Sequence, residues 1–204
     1  MKTIIKNTVI LLVITLVAGL ALAAVHDVTE KPIETAQENA KLDAYKKVFP
    51  EADSFGDIDA DLSGYKPDDS VKLGEVKTAL DKDKKVIGWV MTLTSPKGYG
   101  GDIKIAIGVK DNGTLNAMTV LEMSETAGLG AKCTSEEFQA QFSGIRADSI
   151  GFTKTGEPEE NEIDAISGAT YTTTAVVQAT NAGLKLAHTQ LMDGANAGPK
   201  GGAN

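Results

Sequence analysis

From Asn7 to Val25 nineteen consecutive residues carry no charge, and Val9 to Val25 is almost entirely aliphatic. A helix is the form in which such a run satisfies its own backbone hydrogen bonds inside a bilayer. At helical rise the apolar part reaches about 26 Å, close to a hydrocarbon core of roughly 30 Å. Lys2 and Lys6 precede the run, and Asp27 and Glu30 follow it. The positive-inside rule therefore puts the N-terminus in the cytoplasm and the rest of the chain on the extracytoplasmic face of the cell (inner) membrane. Ala21-Leu22-Ala23 also fits a small-residue cleavage site, so a removable signal peptide stands beside the uncleaved anchor that the unbroken run favours. No cysteine follows the run, which excludes a lipoprotein signal.

Beyond the anchor the chain is acidic. Of 20 basic and 28 acidic residues, only Lys2 and Lys6 precede Asp27, so the remainder holds 18 and 28, a net charge of −10. Such a surface repels phosphate backbones, which argues against nucleic-acid binding. Cys133 is the single cysteine, so the chain forms no internal disulfide, cysteine-ligated iron–sulfur cluster or Cys-x-x-Cys-His haem site. His26 and His188 are far apart and no HExxH is present, so no metal centre is expected. Redox chemistry here would need an organic carrier or groups held by other subunits, and no side chain reads as catalytic.

Residues 27–70 read as a charged helix, Glu34 to Val48, ended by Pro50 and followed by an acidic loop. That loop lacks the ordered Asp-x-Asp-x-Asp-Gly pattern of a calcium site. Strand signals then dominate. Val71 to Leu80 and Lys85 to Thr94 flank an Asp81-Lys-Asp-Lys84 turn, and Ile103 to Val109 alternates with Ile103, Ile105, Ile107 and Val109 on one face. Asp111-Asn-Gly113 is a hairpin signal, and Leu115 to Met123 returns as its partner. Trp89 reads as a core residue. Thr134-Ser-Glu-Glu137 is a capping-box pattern opening a short helix to Phe142, and Phe152 to Asn161 reads as a polar connection. Glu162 to Ile166 is a short strand. Val176, Thr180, Leu184, Ala187 and Leu191 recur at helical spacing, giving an apolar face for docking on the sheet. The expected fold is α+β: an anchor over 1–26, a helix and acidic loop over 27–70, and one domain over 71–192 with an antiparallel sheet flanked by helices. A glycine- and proline-rich tail over 193–204 is expected to be disordered.

Asp164-Ala-Ile-Ser-Gly-Ala-Thr170, followed by Tyr171-Thr-Thr-Thr174, sits where a strand gives way to a helix. A helix start offers unpaired N–H groups and a positive dipole end, which suit a phosphate. The same residues also suit a plain N-terminal cap, since Ser and Thr are favoured there without any ligand. By itself the spacing leaves both readings open.

The run DAISGAT resembles the flavinylation motif of the FMN-binding domain shared by two membrane complexes. These are the Rnf ferredoxin–NAD oxidoreductase, in its G subunit, and the sodium-pumping NADH–quinone reductase, in its C subunit. Ser124-Glu-Thr-Ala-Gly-Leu-Gly-Ala-Lys132 is similar to the family's Glu-Thr-Pro-Gly-Leu-Gly segment, with Ala127 where proline is common. Gly98-Tyr-Gly-Gly-Asp-Ile103 is similar to the turn that opens its central hairpin. The resemblance implies FMN joined through its phosphate to the hydroxyl of Thr170, by a flavin transferase that uses FAD. It implies Asp164, Ser167, Gly168 and Ala169 as the rest of the attachment motif. It further implies Glu125, Thr126, Gly128, Leu129 and Gly130 as a flavin-binding loop and Lys132 as a balance for the phosphate charge. Thr172, Thr173 and Thr174 are rival acceptors. The implied function is a single-span electron-transfer component of an Rnf-type complex that exports sodium or protons, with the other subunits as partners. The alternatives are the quinone-reductase C subunit, a secreted FMN carrier, and a binding or assembly protein in which SGAT is only a cap.

Overall fold

The computed structural model describes residues 1–58, 62, 65, 67 and 70–192, with backbone alone at 27, 30–35 and 37. The expected tail over 193–204 and much of the acidic loop lie outside the described residues. The chain divides into two compact units, 1–42 and 43–204.

Helix α1 (Lys2–Val48) runs unbroken through both the expected anchor and the expected second helix. The stretch between them stays helical across Pro32. Within the first unit, Lys2–His26 is long and apolar enough to cross a membrane, and its large aliphatic side chains are exposed. The hydroxyls of Thr8 and Thr15 donate to the carbonyls of Ile4 and Leu11, at 3.0 and 3.1 Å, so both are satisfied inside the helix itself.

The second unit is built on five antiparallel strands in sequence order: β1 (Ser54–Asp57), β2 (Lys72–Leu80), β3 (Val86–Ser95), β4 (Ile103–Lys110) and β5 (Leu115–Glu122). Strands β2 to β5 follow one another through short connections, as the alternating segments and Asp111-Asn-Gly113 predict. One face of the sheet carries Met91, Leu93, Ile103, Ile105, Ile107 and Val109 and is covered by helix α3 (Thr170–Leu186). The residues expected on the docking face of that helix, Val176, Thr180, Leu184, Ala187 and Leu191, are all buried. Gly183 lets α3 lie close, because a Cβ there would run into the side-chain ends of Ile107, Leu93 and Met91. Trp89 is buried in this core.

The other face is covered too. Tyr45, Val48 and Phe49, at and just beyond the end of α1, pack on Ala79, Val90 and Ala106. This explains the small residues that alternate with the isoleucines of β4. A Cβ on Gly108 would meet the carbonyl of Val48, and one on Gly88 the ring of Phe49.

Four local expectations are corrected. The acidic stretch contains edge strand β1, whose register pairs Ser54 with Leu80 and Asp57 with Lys77. The polar connection contains strand β6 (Gly151–Thr153), paired in parallel with β7 (Glu162–Asp164). Helix α2 spans only Glu136–Ala140 and is capped by Ser135, which accepts from the Phe138 N–H at 3.3 Å. Thr134 is displaced from the cap because its hydroxyl already donates to the Ala131 carbonyl. After Leu186 the last helix widens into a π-helical turn over Ala187–Leu191.

Candidate functional site

The Gly98–Gly101 turn leaves β3 and folds directly onto the loop that leaves β5. Only glycine permits this approach, since a Cβ on Gly100 would overlap the Ser124 carbonyl and one on Gly98 would meet the Glu125 carboxylate. Glu125 is the joint. Its Oε1 accepts from the Gly100 N–H at 2.9 Å, and its Oε2 accepts from the Thr172 hydroxyl at 2.5 Å. Both side chains are buried, Glu125 at 9% exposure and Thr172 at 1%, so each depends on the other for its hydrogen bonds. Gly130 passes beside this pair, where a Cβ would meet the Glu125 carboxylate and the Thr172 hydroxyl. Three motifs separated along the chain thus converge on one carboxylate.

The Glu125–Gly130 loop is tightened by the N–H groups of Leu129 and Ala131, which both donate to the Thr126 carbonyl. Gly128 turns it with φ of 78°. Just beyond the loop, Cys133 is fully buried. Burial and then the negative charge of Glu125 push its thiol up to about 11.

Strand β7 delivers Asp164, and Gly168 turns the chain with φ of 76° into α3. The helix begins at Thr170 with Ala169 at the N-cap, and no side chain caps it. The cap that Ser or Thr would have supplied is not made, so the first-turn N–H groups lack that partner. The neighbouring hydroxyls are engaged. Thr172 donates to Glu125, Thr173 to the Ala169 carbonyl and Thr174 to the Thr170 carbonyl. Among the described residues, no hydrogen bond engages the Thr170 hydroxyl.

Thr170 opens onto a cleft of about 490 Å³ lined by Glu125, Thr126, Leu129, Gly130, Gly168, Ala169 and Thr172, together with Tyr99 and Tyr171. Its lining combines the polar Glu125, Thr126 and Thr172 with the apolar Leu129 and the aromatic Tyr99 and Tyr171, which fits a flat ring with one polar and one apolar edge. The structure therefore brings Thr170, Gly168, Ala169, Glu125, Thr126, Leu129 and Gly130 together. Lys132, Asp164 and Ser167 line a separate cleft of about 470 Å³ with Gln141 and Lys154. Within it, Asp164 accepts from the Gly156 N–H at 3.0 Å, and its own N–H donates to Gln141 Oε1 at 2.6 Å. Tyr99, Gly100 and Tyr171 are site residues that sequence reasoning left out. The Gly98-Tyr-Gly-Gly motif was the available signal for the first two.

The three motifs fall within a region similar to a known domain. The FMN-binding domain model matches residues 98–185, and the RnfG N-terminal region matches residues 1–48. The G subunit of the ion-translocating oxidoreductase complex of Methanosarcina acetivorans is 32% identical over 179 residues, covering 87% of this chain and 91% of that protein. The G subunit of the Na(+)-translocating ferredoxin:NAD(+) oxidoreductase complex of Acetobacterium woodii is 30% identical over 198 residues, covering 91% and 92%. The crystal structure of Shewanella oneidensis NqrC shares the fold, with a TM-score of 0.50 and 20% identity over 74% of each chain.

Proposed function

The chain belongs to the family of G subunits of ion-translocating oxidoreductase complexes, and from that premise we propose that Thr170 carries FMN as a phosphoester in a membrane-bound ferredoxin–NAD oxidoreductase. The domain stands on the extracytoplasmic side of a single uncleaved span, an orientation supported by Lys2 and Lys6 ahead of the apolar run. The complex couples electron flow to sodium or proton export, and the other subunits supply its remaining carriers.

One observation carries the choice of Thr170. It is the only threonine of the 170–174 cluster whose hydroxyl is unengaged among the described residues, and it sits at an uncapped helix start beside a cleft of suitable size. The first-turn N–H groups and the dipole of α3 favour a phosphate there. Glu125 holds the Gly98–Gly101 turn and α3 together, so the cleft is set before any ligand arrives. Thr126 and the backbone of Gly128–Gly130 offer polar contacts, and Leu129 an apolar one. Bound FMN supplies exchange between two-electron and one-electron carriers, which no side chain here can perform. A covalent tether keeps a solvent-facing flavin from diffusing away between turnovers.

A flavin transferase makes the bond. With FAD as donor, the Thr170 hydroxyl would supply the oxygen of the new phosphoester and AMP would be the leaving group. Asp164, Ser167 and Lys132 face the adjoining cleft, and we assign them to presenting the motif.

The test is ultraviolet fluorescence of the protein band on a denaturing gel, after production with and without the transferase. The wild-type band fluoresces only with the transferase, and Thr170→Ala does not. A fluorescent Thr170→Ala band would move the attachment elsewhere.

A further inference from the structure

The attachment motif ends in a tight turn, and that turn is closed twice. The Ala169 N–H donates to the Ile166 carbonyl at 2.9 Å, which makes Ile166–Ala169 a four-residue turn with Gly168, at φ of 76°, in its third position. The second closure comes from the helix. The Thr173 hydroxyl accepts from the Ile166 N–H and donates to the Ala169 carbonyl, both at 3.1 Å. One oxygen therefore bridges the first and last residues of the turn, and Thr170 is the next residue along the chain. The Ala169 carbonyl also accepts from the Thr173 N–H at 3.0 Å, so helix and turn share one anchor point. Ahead of the turn, the Asp164 N–H donates to Gln141 Oε1 and the Ala165 N–H to the Thr153 carbonyl, at 2.6 and 2.8 Å. The backbone is thus held on both sides of Ser167 and Gly168.

Thr173 differs in this from its neighbours on α3. A helical threonine often turns its hydroxyl back to the carbonyl four residues earlier, as Thr174 does to Thr170 and Thr180 to Val176. Thr173 makes that bond as well. Among the described residues it is the one threonine of α3 whose hydroxyl also accepts from a group ahead of the helix. Thr173 is fully buried and Ile166 nearly so, which leaves water little access to replace the bridge.

We propose that Thr173 is a positioning residue for flavin attachment: its hydroxyl fixes the Ile166–Ala169 turn so that the Thr170 hydroxyl is presented in one geometry to the flavin transferase. This rests on attachment at Thr170. Transfer to phosphorus requires the attacking oxygen in line with the bond that breaks, and a misplacement of about 1 Å can cost about a hundredfold in rate. Thr170 stands at a helix start that no side chain caps, so the bridge is the side-chain tie nearest to it along the backbone.

The experiment uses the unmodified full chain in detergent with purified flavin transferase and FAD. Attachment is followed by mass at increasing chain concentration, which yields kcat and KM for the chain as substrate. Thr173→Val keeps the side-chain shape and removes the bridge, so kcat falls about ten- to a hundredfold while KM stays within about twofold. Thr173→Ala removes the same bridge through a smaller side chain and gives the same split. Thr173→Ser retains the oxygen and recovers most of the rate. Thr180→Val makes the matching change in the same helix, at a buried hydroxyl that serves only its own helix, and leaves both constants unchanged. Urea midpoints establish that each variant is folded under the assay conditions. A wild-type kcat in folded Thr173→Val or Thr173→Ala overturns the positioning role, as does an equal fall in Thr180→Val or no recovery in Thr173→Ser, and the attachment then stands without it. A wild-type chain that takes up no flavin overturns the attachment and the positioning role together.

Discussion

If the Glu125 carboxylate is what joins the Gly98–Gly101 turn to α3, substitutions at Glu125 and Thr172 must be energetically coupled. Glu125→Ala removes the acceptor for two donors, the Gly100 N–H and the Thr172 hydroxyl. A hydrogen bond to a charged group contributes about 1.5–3 kcal/mol, so two would come to about 3–6 kcal/mol. Release of a carboxylate from a buried site offsets part of that, since burying the charge itself costs several kcal/mol in order of magnitude. The net loss expected is about 2–4 kcal/mol. Thr172→Val keeps the shape but leaves one carboxylate oxygen without its donor, for a loss of about 1.5–3 kcal/mol. In the double variant neither partner is left unpaired by the other, so the combined loss falls short of the sum by about 1–2 kcal/mol. Urea unfolding of the flavin-free full chain in detergent measures this. Trp89, the single tryptophan, is buried in the core under α3 and reports the transition. Losses that add to within about 0.5 kcal/mol would show that the two side chains act independently and would refute the joint.

Three further outcomes follow from the packing. Gly100→Ala places a Cβ on the rigid carbonyl of Ser124 and costs about 1–3 kcal/mol by urea unfolding, while Gly101→Ala meets no atom and loses stability only through its φ of 127°. Phe49→Ala opens the core between the end of α1 and the sheet and costs about 3–5 kcal/mol in the same assay. Cys133, raised from 9.0 to about 11, contributes stability that is complete below pH 9 and lost as the pH rises to about 11. The wild-type transition should therefore fall in urea midpoint over that window relative to Cys133→Ala, and native protein at pH 8 should resist thiol alkylation until unfolded.

What could be read in advance depended on how local the cause was. Strands β3 to β5 were legible because their alternation and the Asp111-Asn-Gly113 turn are written into adjacent residues. Edge strand β1 was not, because Ser54–Asp57 has no pattern of its own and is extended only through its pairing with β2. Strand β6 was hidden for the same reason, whereas its partner β7 falls within the strand expected at Glu162–Ile166. The cap of α2 moved by one residue because the Thr134 hydroxyl had a nearer carbonyl to serve. At the site, the candidate residues of the Asp164–Thr170 and Glu125–Lys132 motifs were named by resemblance. Their division into two clefts was not, since it depends on which side of the Gly168 turn each side chain falls. The Glu125–Thr172 pair spans 47 positions, and no spacing rule predicts it. Tyr99 lay within the Gly98-Tyr-Gly-Gly motif but was not singled out, and Tyr171 gave no signal of its own until the fold placed both at one cleft.

The attachment itself is tested most directly by the intact mass of the protein purified from membranes that contain a flavin transferase, with mapping of the tryptic peptide Thr155–Lys185. The account predicts an increase of FMN less water, roughly 440 Da, carried by that peptide and localised by fragmentation to Thr170. An unmodified chain from such membranes, or the added mass on Thr172, Thr173 or Thr174, would contradict it.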